Sequence, residues 1–486
     1  MENMRTPSHS VTRPAPGPRG DWLLGNARAI LRDPQGFFLR TMTEFGGIAA
    51  VNYGVAKAFV ITDAALAHRV LVEQHRNYPK SRNYRAIKLV LGQGLLTSEG
   101  ELWRRQRKLA QPSFHRERLA GFLRVMTETT ADLLTEWSAR PPGQAFDIHR
   151  DMNRLTLRVA SRSLFGVDLD DAADALGQAL SFSLKYANDI IDKPYLPPPW
   201  VPTPRNLHFR RALKTFDQIV YKMIDDRRRL GAPSDDLLGT LMEAKDEETG
   251  EAMSQRQLRD ELLTLILAGH ETTANTMAWA FYLLSKHPSV ARQVEEEVER
   301  VLGDRAPELA DLPALTKVGE VISETLRLYP PVWVFERQNI EADVLDGVEI
   351  PPGSIITIVP YALHRNPNYW PNPEGFDPER FSPERAKDHP RHAYLPFATG
   401  PRNCIGSGFA LMEASVILAM ITQRHRLSLV PGRSVVEEAL MTLRPKHGVW
   451  VTATASRPAS APRPARAAAP LEAAAACPFA PPAAAR

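Results

Sequence analysis

Residues 397–406 read Phe397-Ala398-Thr399-Gly400-Pro401-Arg402-Asn403-Cys404-Ile405-Gly406, a glycine- and proline-rich loop that delivers one cysteine to the start of an apolar helix. That helix is marked by Ile405, Phe409, Met412, Val416 and Met420, which recur at three- and four-residue steps and so share a face. A cysteine placed there gains from the helix dipole and from nearby backbone N–H groups, both of which lower a thiol pKa and favour thiolate. Gly400 and Gly406 let the backbone pass close to a flat ligand without a side-chain clash. Arg402 supplies a cation suited to a carboxylate. A thiolate presented in this way serves as a nucleophile or as a metal ligand. No Cys/His/Asn grouping favours the nucleophile. The chain's two cysteines, Cys404 and Cys477, form no CxxC pair, which argues against structural zinc and against a disulfide framework.

A second informative stretch predicts a helix running from about Gln255 to Lys286. Leu258, Leu262, Leu265, Gly269, Thr272 and Thr276 fall on one face, and Leu263, Ile266, Met277 and Trp279 make most other sides apolar too, so the helix is expected to be buried. Gly269 in its interior costs about 1 kcal/mol relative to alanine, and close approach of a ligand to the backbone is the expected return. Thr272 is placed to bond back to the Ala268 carbonyl and loosen the helix. Glu271 beside it is an acid in an apolar stretch, the kind of group a proton relay needs. Elsewhere, Glu324-Thr-Leu-Arg327 is an i, i+3 pair on a helix ended by Pro330-Pro331, and Trp103 and Arg107 are four apart on a basic helix.

The cysteine loop resembles the haem-binding loop of the cytochrome P-450 superfamily, whose pattern is Phe-x-x-Gly-x-Arg-x-Cys-x-Gly. Each fixed position is met by Phe397, Gly400, Arg402, Cys404 and Gly406. Ala268-Gly-His-Glu-Thr-Thr273 resembles the oxygen-activation motif of the same family. The resemblance covers about residues 15–455 and implies a mainly α fold with a smaller β portion, haem b lying between the long central helix and the cysteine loop. By the same resemblance Cys404 is the axial ligand of the haem iron, and Ala268, Gly269, Phe397 and Gly406 bind the cofactor. Trp103, Arg107 and Arg402 hold its propionates, with Arg337 a further candidate. Thr272 would orient dioxygen and its water, and Glu271 would help deliver protons. His270 is given no role. Glu324, Arg327 and Arg380, the last in Pro378-Glu-Arg-Phe381, would form a buried structural network. Leu265, Ala268, Thr273, Val332, Trp333 and Phe335 are candidate walls of an apolar substrate pocket.

The remaining sequence bounds the partners. With 60 Lys and Arg against 56 Asp and Glu, the formal charge of +4 is too weak to argue for nucleic acid. The longest near-continuous apolar runs, Leu262–Ala268 and Ala414–Ile421, fall far short of the roughly 20 residues of a membrane span. A monomeric cytoplasmic enzyme is the expectation. Residues 1–20 read as a Pro-rich lead-in, 21–455 as the haem-thiolate domain, and 456–486, where 14 Ala and seven Pro fill 21 of 31 positions, as a flexible tail. No GxGxxG follows a strand, so an external ferredoxin and its NAD(P)H-dependent reductase would supply electrons. Arg104, Arg105 and Lys108 are candidates to meet that acidic donor. The activity implied is monooxygenation of a lipophilic fatty acid, terpenoid, steroid or macrolide by dioxygen. The alternatives are a peroxide-dependent haem-thiolate oxidase or isomerase, and a non-catalytic haem protein, which would leave Glu271-Thr272 without a purpose.

Overall fold

The computed structural model describes residues 13–456, apart from 54–55, 194, 232–235, 245–249, 251 and 391. The first twelve residues of the Pro-rich lead-in, the tail from 457 onward with Cys477, and most of the polar loop at 245–251 lie outside the described residues. The chain divides into two compact units, each assembled from separated segments.

The smaller unit takes in the chain up to Asn83, Trp333–Gly375 and His389–Asn403. Its centre is a four-stranded sheet in the order Ile48–Tyr53, Ala56–Ile61, Ile355–Ile358, Phe335–Gln338. The first and last pairings are antiparallel, and Ala56–Ile61 runs parallel to Ile355–Ile358 with Ala58 opposite Ile355. Ile355-Ile-Thr-Ile358 is buried at every position. An inner strand covered on both faces wants such a β-branched run. The Pro34–Phe45 helix starts where Asp33 accepts a hydrogen bond from the Gly36 N–H at 3.0 Å and Pro34 presets the first turn. It buries Phe37, Phe38 and Met42, with Phe38 meeting Trp333 at 6.1 Å between ring centres.

The larger unit, Tyr84–Val332 with Phe376–Asp388 and the chain from Cys404 on, is mainly helical. Its axis is the Gln255–Lys286 helix, 32 residues and about 48 Å long. A capping box begins it: Ser254 Oγ accepts from the Gln257 N–H at 3.2 Å while Gln257 Oε1 accepts from the Ser254 N–H at 3.0 Å. Pro288 follows its end and opens the next helix. From Leu258 on nearly every position of this central helix is buried, and the Ile148–Phe165 helix, itself largely buried, packs along it. Short strands at Phe146–Asp147, Trp450–Ala455 and His425–Leu429 form a small antiparallel sheet, and Glu437–Ala439 pairs with Leu443–Pro445.

The Thr316–Leu328 helix brings Glu324 and Arg327 together with Arg380, all of them buried. Arg327 donates Nε to Glu324 Oε2 at 2.7 Å and Nη2 to Oε1 at 2.8 Å. Arg380 Nε reaches the same carboxylate at 3.4 Å, and the Asp377 N–H donates to it at 2.9 Å. The segment just before Arg380 is thereby fastened to the helix. Removing one member of a buried pair strands the other's charge, at a cost of about 3–5 kcal/mol. Arg327→Ala should therefore lose most of the larger unit's stability in a denaturant titration. Unfolding at the parent's midpoint would show that this cluster holds nothing together.

Candidate active site

One turn of the central helix breaks its burial. Ala268 is exposed and Gly269 and Thr272 are partly accessible, while Leu258 and Leu262–Leu267 before them and Thr273–Phe281 after them are buried. A helix closed on nearly all sides is open at this place alone along its middle, which is where a ligand can reach its backbone. Thr272 Oγ1 donates to the Ala268 carbonyl at 2.9 Å, and Thr276 Oγ1 does the same to the Thr272 carbonyl at 2.9 Å. A Cβ built on Gly269 would meet Ala160 Cβ at 3.6 Å and Leu164 Cδ1 at 3.9 Å, so its bare side faces the Ile148–Phe165 helix. Thr156 Oγ1 donates to the His270 carbonyl at 2.9 Å and ties the two helices together at this level.

The cysteine loop straddles the two units in sequence: Phe397 and Arg402 belong to the smaller one, Cys404 and Gly406 to the larger. Gly400 is a glycine for local reasons. It sits at φ +74°, and a Cβ would lie 2.2 Å from the Leu71 carbonyl oxygen. Ala398 is also left-handed, at φ +54°, a conformation costing about 1 kcal/mol or more that persists only where the surroundings enforce it.

Cys404 lies just ahead of the Ser407–Arg424 helix. Its side chain is open to solvent-sized contact, yet protein closes around it enough for dehydration to dominate its acidity. The expected lowering of the thiol is overturned in the protein alone: burial pushes it up, against the Gly406 N–H and the charge of Arg107, which pull it down. A metal cation at the sulfur reverses that balance, since a coordinating thiol is deprotonated outright.

Trp103 and Arg107 share an accessible side of the Gly100–Ala110 helix. Burial lowers the Arg107 pKa and the nearby Cys404 opposes that, so guanidinium and sulfur are within electrostatic reach. Arg104 is exposed and paired with Glu101, and Lys108 is exposed too, while Arg105 is only half so. In the smaller unit, Arg337 is buried, donates Nη1 to the Glu336 carbonyl at 2.9 Å and lies 5.2 Å from the centre of the Phe335 ring. Arg402 ends the Gly400–Arg402 turn, half-buried.

The candidate pocket walls differ in exposure. Ala268 is accessible and Val332 is exposed, but Trp333 is buried against Phe38 in the smaller unit's core, and Phe335 and Leu265 are buried as well. Thr273 is buried and its hydroxyl faces Glu413, on the Ser407–Arg424 helix. Helix rotation decides this: Thr273 is one position, about 100°, from Thr272.

Sequence reasoning missed the polar groups behind the open turn. Thr442 Oγ1 donates to Glu271 Oε1 at 2.7 Å. Glu271 is buried, and burial raises its pKa against the lowering by Thr442 and Arg444. Glu413 is fully buried, and burial holds it well above the usual carboxylate range against the Thr273 hydroxyl, which lowers it. The available signal was an acid inside the apolar run Ala410–Ile421.

Among the described residues no group of three or more His, Cys, Asp or Glu is placed to hold a metal ion. A lone enclosed thiol with a guanidinium at hand suits a metal that brings its own ring of donors, and proteins built on that principle are haem-thiolate proteins. The chain belongs to the cytochrome P450 family: the family model Cytochrome P450 matches residues 15–449. It is 37% identical over 446 residues to cyclooctatin synthase of Streptomyces melanosporofaciens, covering 91% of this chain and 96% of that one. It is 38% identical to cyclooctat-9-en-7-ol 5-monooxygenase of the same organism, covering 85% and 89%. Pentalenene oxygenase of Streptomyces avermitilis is 30% identical, covering 90% and 96%. The protein is therefore an oxidoreductase, a monooxygenase whose cofactor is haem b on a cysteine thiolate, using dioxygen, a lipophilic substrate and a redox partner. No helix among the described residues is long and apolar enough to cross a membrane.

His270 makes one consequence measurable. It is buried, its Nδ1 has no hydrogen-bond partner, and burial, reinforced by His149, lowers its pKa from 6.5 to about 4. Above pH 6.5 folded and unfolded chains both carry it neutral. As pH falls from 6.5 toward 4 the unfolded chain takes up the proton first, so this residue withdraws about 3 kcal/mol of stability across that window. His270→Leu should flatten the fall of unfolding free energy between pH 6.5 and 4 by that order. Parallel curves for parent and variant would refute it.

Proposed function

We propose that this protein hydroxylates or epoxidises a terpenoid, with electrons from a separate ferredoxin and its NAD(P)H-dependent reductase. The observation that carries the oxygenase site is the single accessible turn at Ala268, with Thr272 on it and Glu271 immediately behind. Relatives named for cyclooctat-9-en-7-ol and pentalenene support an apolar, multi-carbon substrate over a charged one.

Cys404 would hold the haem iron, with Ala268, Gly269, Phe397 and Gly406 against the macrocycle. Trp103, Arg107, Arg402 and Arg337 would receive the propionates, for which indole N–H and guanidinium donors are suited. Bound haem supplies dioxygen activation, with electron density from the thiolate favouring O–O cleavage. Everything else falls to side chains. Thr272 Oγ1, which donates to the Ala268 carbonyl at rest, turns its hydroxyl to dioxygen and to a water beside it. Glu271 holds a proton at its carboxyl and returns one to that water after each transfer. The apolar stretch around Ala268 orients substrate and excludes bulk water, which would otherwise short-circuit the proton path. Exposed Arg104 and Lys108 present cations to an acidic electron donor.

The direct test is titration of the ferric protein with terpenes, fatty acids, steroids and macrolides while following its main absorption band. Terpenoids should shift the band to shorter wavelength. A shift with another class alone would remove the terpenoid assignment, and a protein purified without such a band would remove the haem site. Thr272→Ala should bind the same ligand within a few-fold while diverting most electrons to peroxide. Unchanged product per electron in that variant would sink the role given to Thr272.

A further inference from the structure

The hydrogen bonds behind Glu271 run in one sense. Thr442 Oγ1 donates to Glu271 Oε1 at 2.7 Å. Asn275 Nδ2 donates to Thr442 Oγ1 at 3.4 Å. That leaves Asn275 Oδ1, an acceptor only, 2.8 Å from His149 Nε2, so Nε2 must carry the hydrogen. From His149 to Asn275 to Thr442 to Glu271, every donor points inward. The chain crosses three elements: the first turn of the Ile148–Phe165 helix, the central helix one turn past Glu271, and the residue before the Leu443–Pro445 strand. Asn275 is fully buried and Glu271 nearly so. Asparagine in an otherwise apolar helix would be costly without these partners.

We propose that His149, Asn275 and Thr442 are positioning residues for Glu271, a chain of inward-pointing donors that fixes which way its carboxyl faces and how tightly it holds a proton. This rests on the proton-handling role given to Glu271 above. An amide passes on no proton, so the Asn275 link makes the chain an aligning device and not a conduit. A hydroxyl donating to a carboxylate favours its charged form, whereas burial favours the neutral one. The chain therefore sets the balance between them at the one acid beside the open turn. The other charged and titratable groups around it are Arg444, itself paired with Glu438 at 2.9 Å, Asp147 at the start of the His149 helix, and His270 on the central helix. Those groups stay in place when the chain is cut.

The test follows the infrared carboxyl absorption of Glu271 against pH in the ferric holoenzyme, assigned as the band that Glu271→Gln removes. Thr442→Val, which keeps shape but removes the hydroxyl, should move the midpoint up by about one to two pH units, and Thr442→Ser should restore it. His149→Leu should move it the same way by a smaller amount, and His149→Gln, which keeps an N–H donor, should return it toward the parent. Should His149→Leu fail to retain haem, Asn275→Ala cuts the same link with a residue that helices favour. A midpoint unmoved by Thr442→Val overturns the proposal. So does one moved by Thr442→Val but indifferent to loss of the His149–Asn275 link. If Glu271→Gln keeps full product per electron, the proton role of Glu271 falls, and the infrared comparison still decides the chain.

Discussion

A helix buried on nearly every side can carry a polar side chain only where some other element answers it. That constraint organises the larger unit. Between Gln255 and Lys286 the polar residues past the first turns are not scattered. Thr272 and Thr276 are satisfied by carbonyls of their own helix, Glu271 and Asn275 by residues far away in the chain, and the His270 carbonyl takes a second hydrogen bond from Thr156. His270 Nδ1 is buried without a hydrogen-bond partner, and the Thr273 hydroxyl faces the Glu413 carboxyl. The helix is thus a rigid rod whose single opening is defined by what surrounds it. Rigidity there is useful, since a reacting group misplaced by an ångström loses much of its effect.

The parts legible in the sequence were those set by local rules. The central helix begins and ends where capping and proline chemistry put it, and Thr272 bonds to the carbonyl four residues back because helical geometry leaves it little else. The glycines were legible only as glycines. Gly269 lies beside Ala160, more than a hundred residues earlier, and Gly400 leaves no room for a Cβ against the Leu71 carbonyl. No window of neighbouring sequence contains those partners. Trp333 and Thr273 likewise have neighbours that no local window contains, Phe38 for one and Glu413 for the other. Cys404 shows the remaining limit. Its neighbours in sequence favour thiolate, but dehydration depends on everything packed around the loop and it prevails.

Three buried glutamates of the larger unit show how a fold sorts one residue type into different jobs. Glu324 accepts from two arginines and a backbone N–H, so its charge is compensated on all sides and it can only hold things in place. Glu413 is faced only by the Thr273 hydroxyl, and burial pushes its pKa well above the usual carboxylate range. Glu271 lies between these extremes, buried like the others but answered by a single hydroxyl and a more distant guanidinium. Guanidiniums favour the charged form of a carboxyl beside them, and apolar surroundings favour the neutral form. The intermediate case can take either form within a reaction, because small changes in its surroundings tip it either way. The residue in that position is also the one next to the accessible turn. The proton handling proposed for Glu271 would require such partial compensation, and the donors behind it supply the hydrogen-bonded part of it.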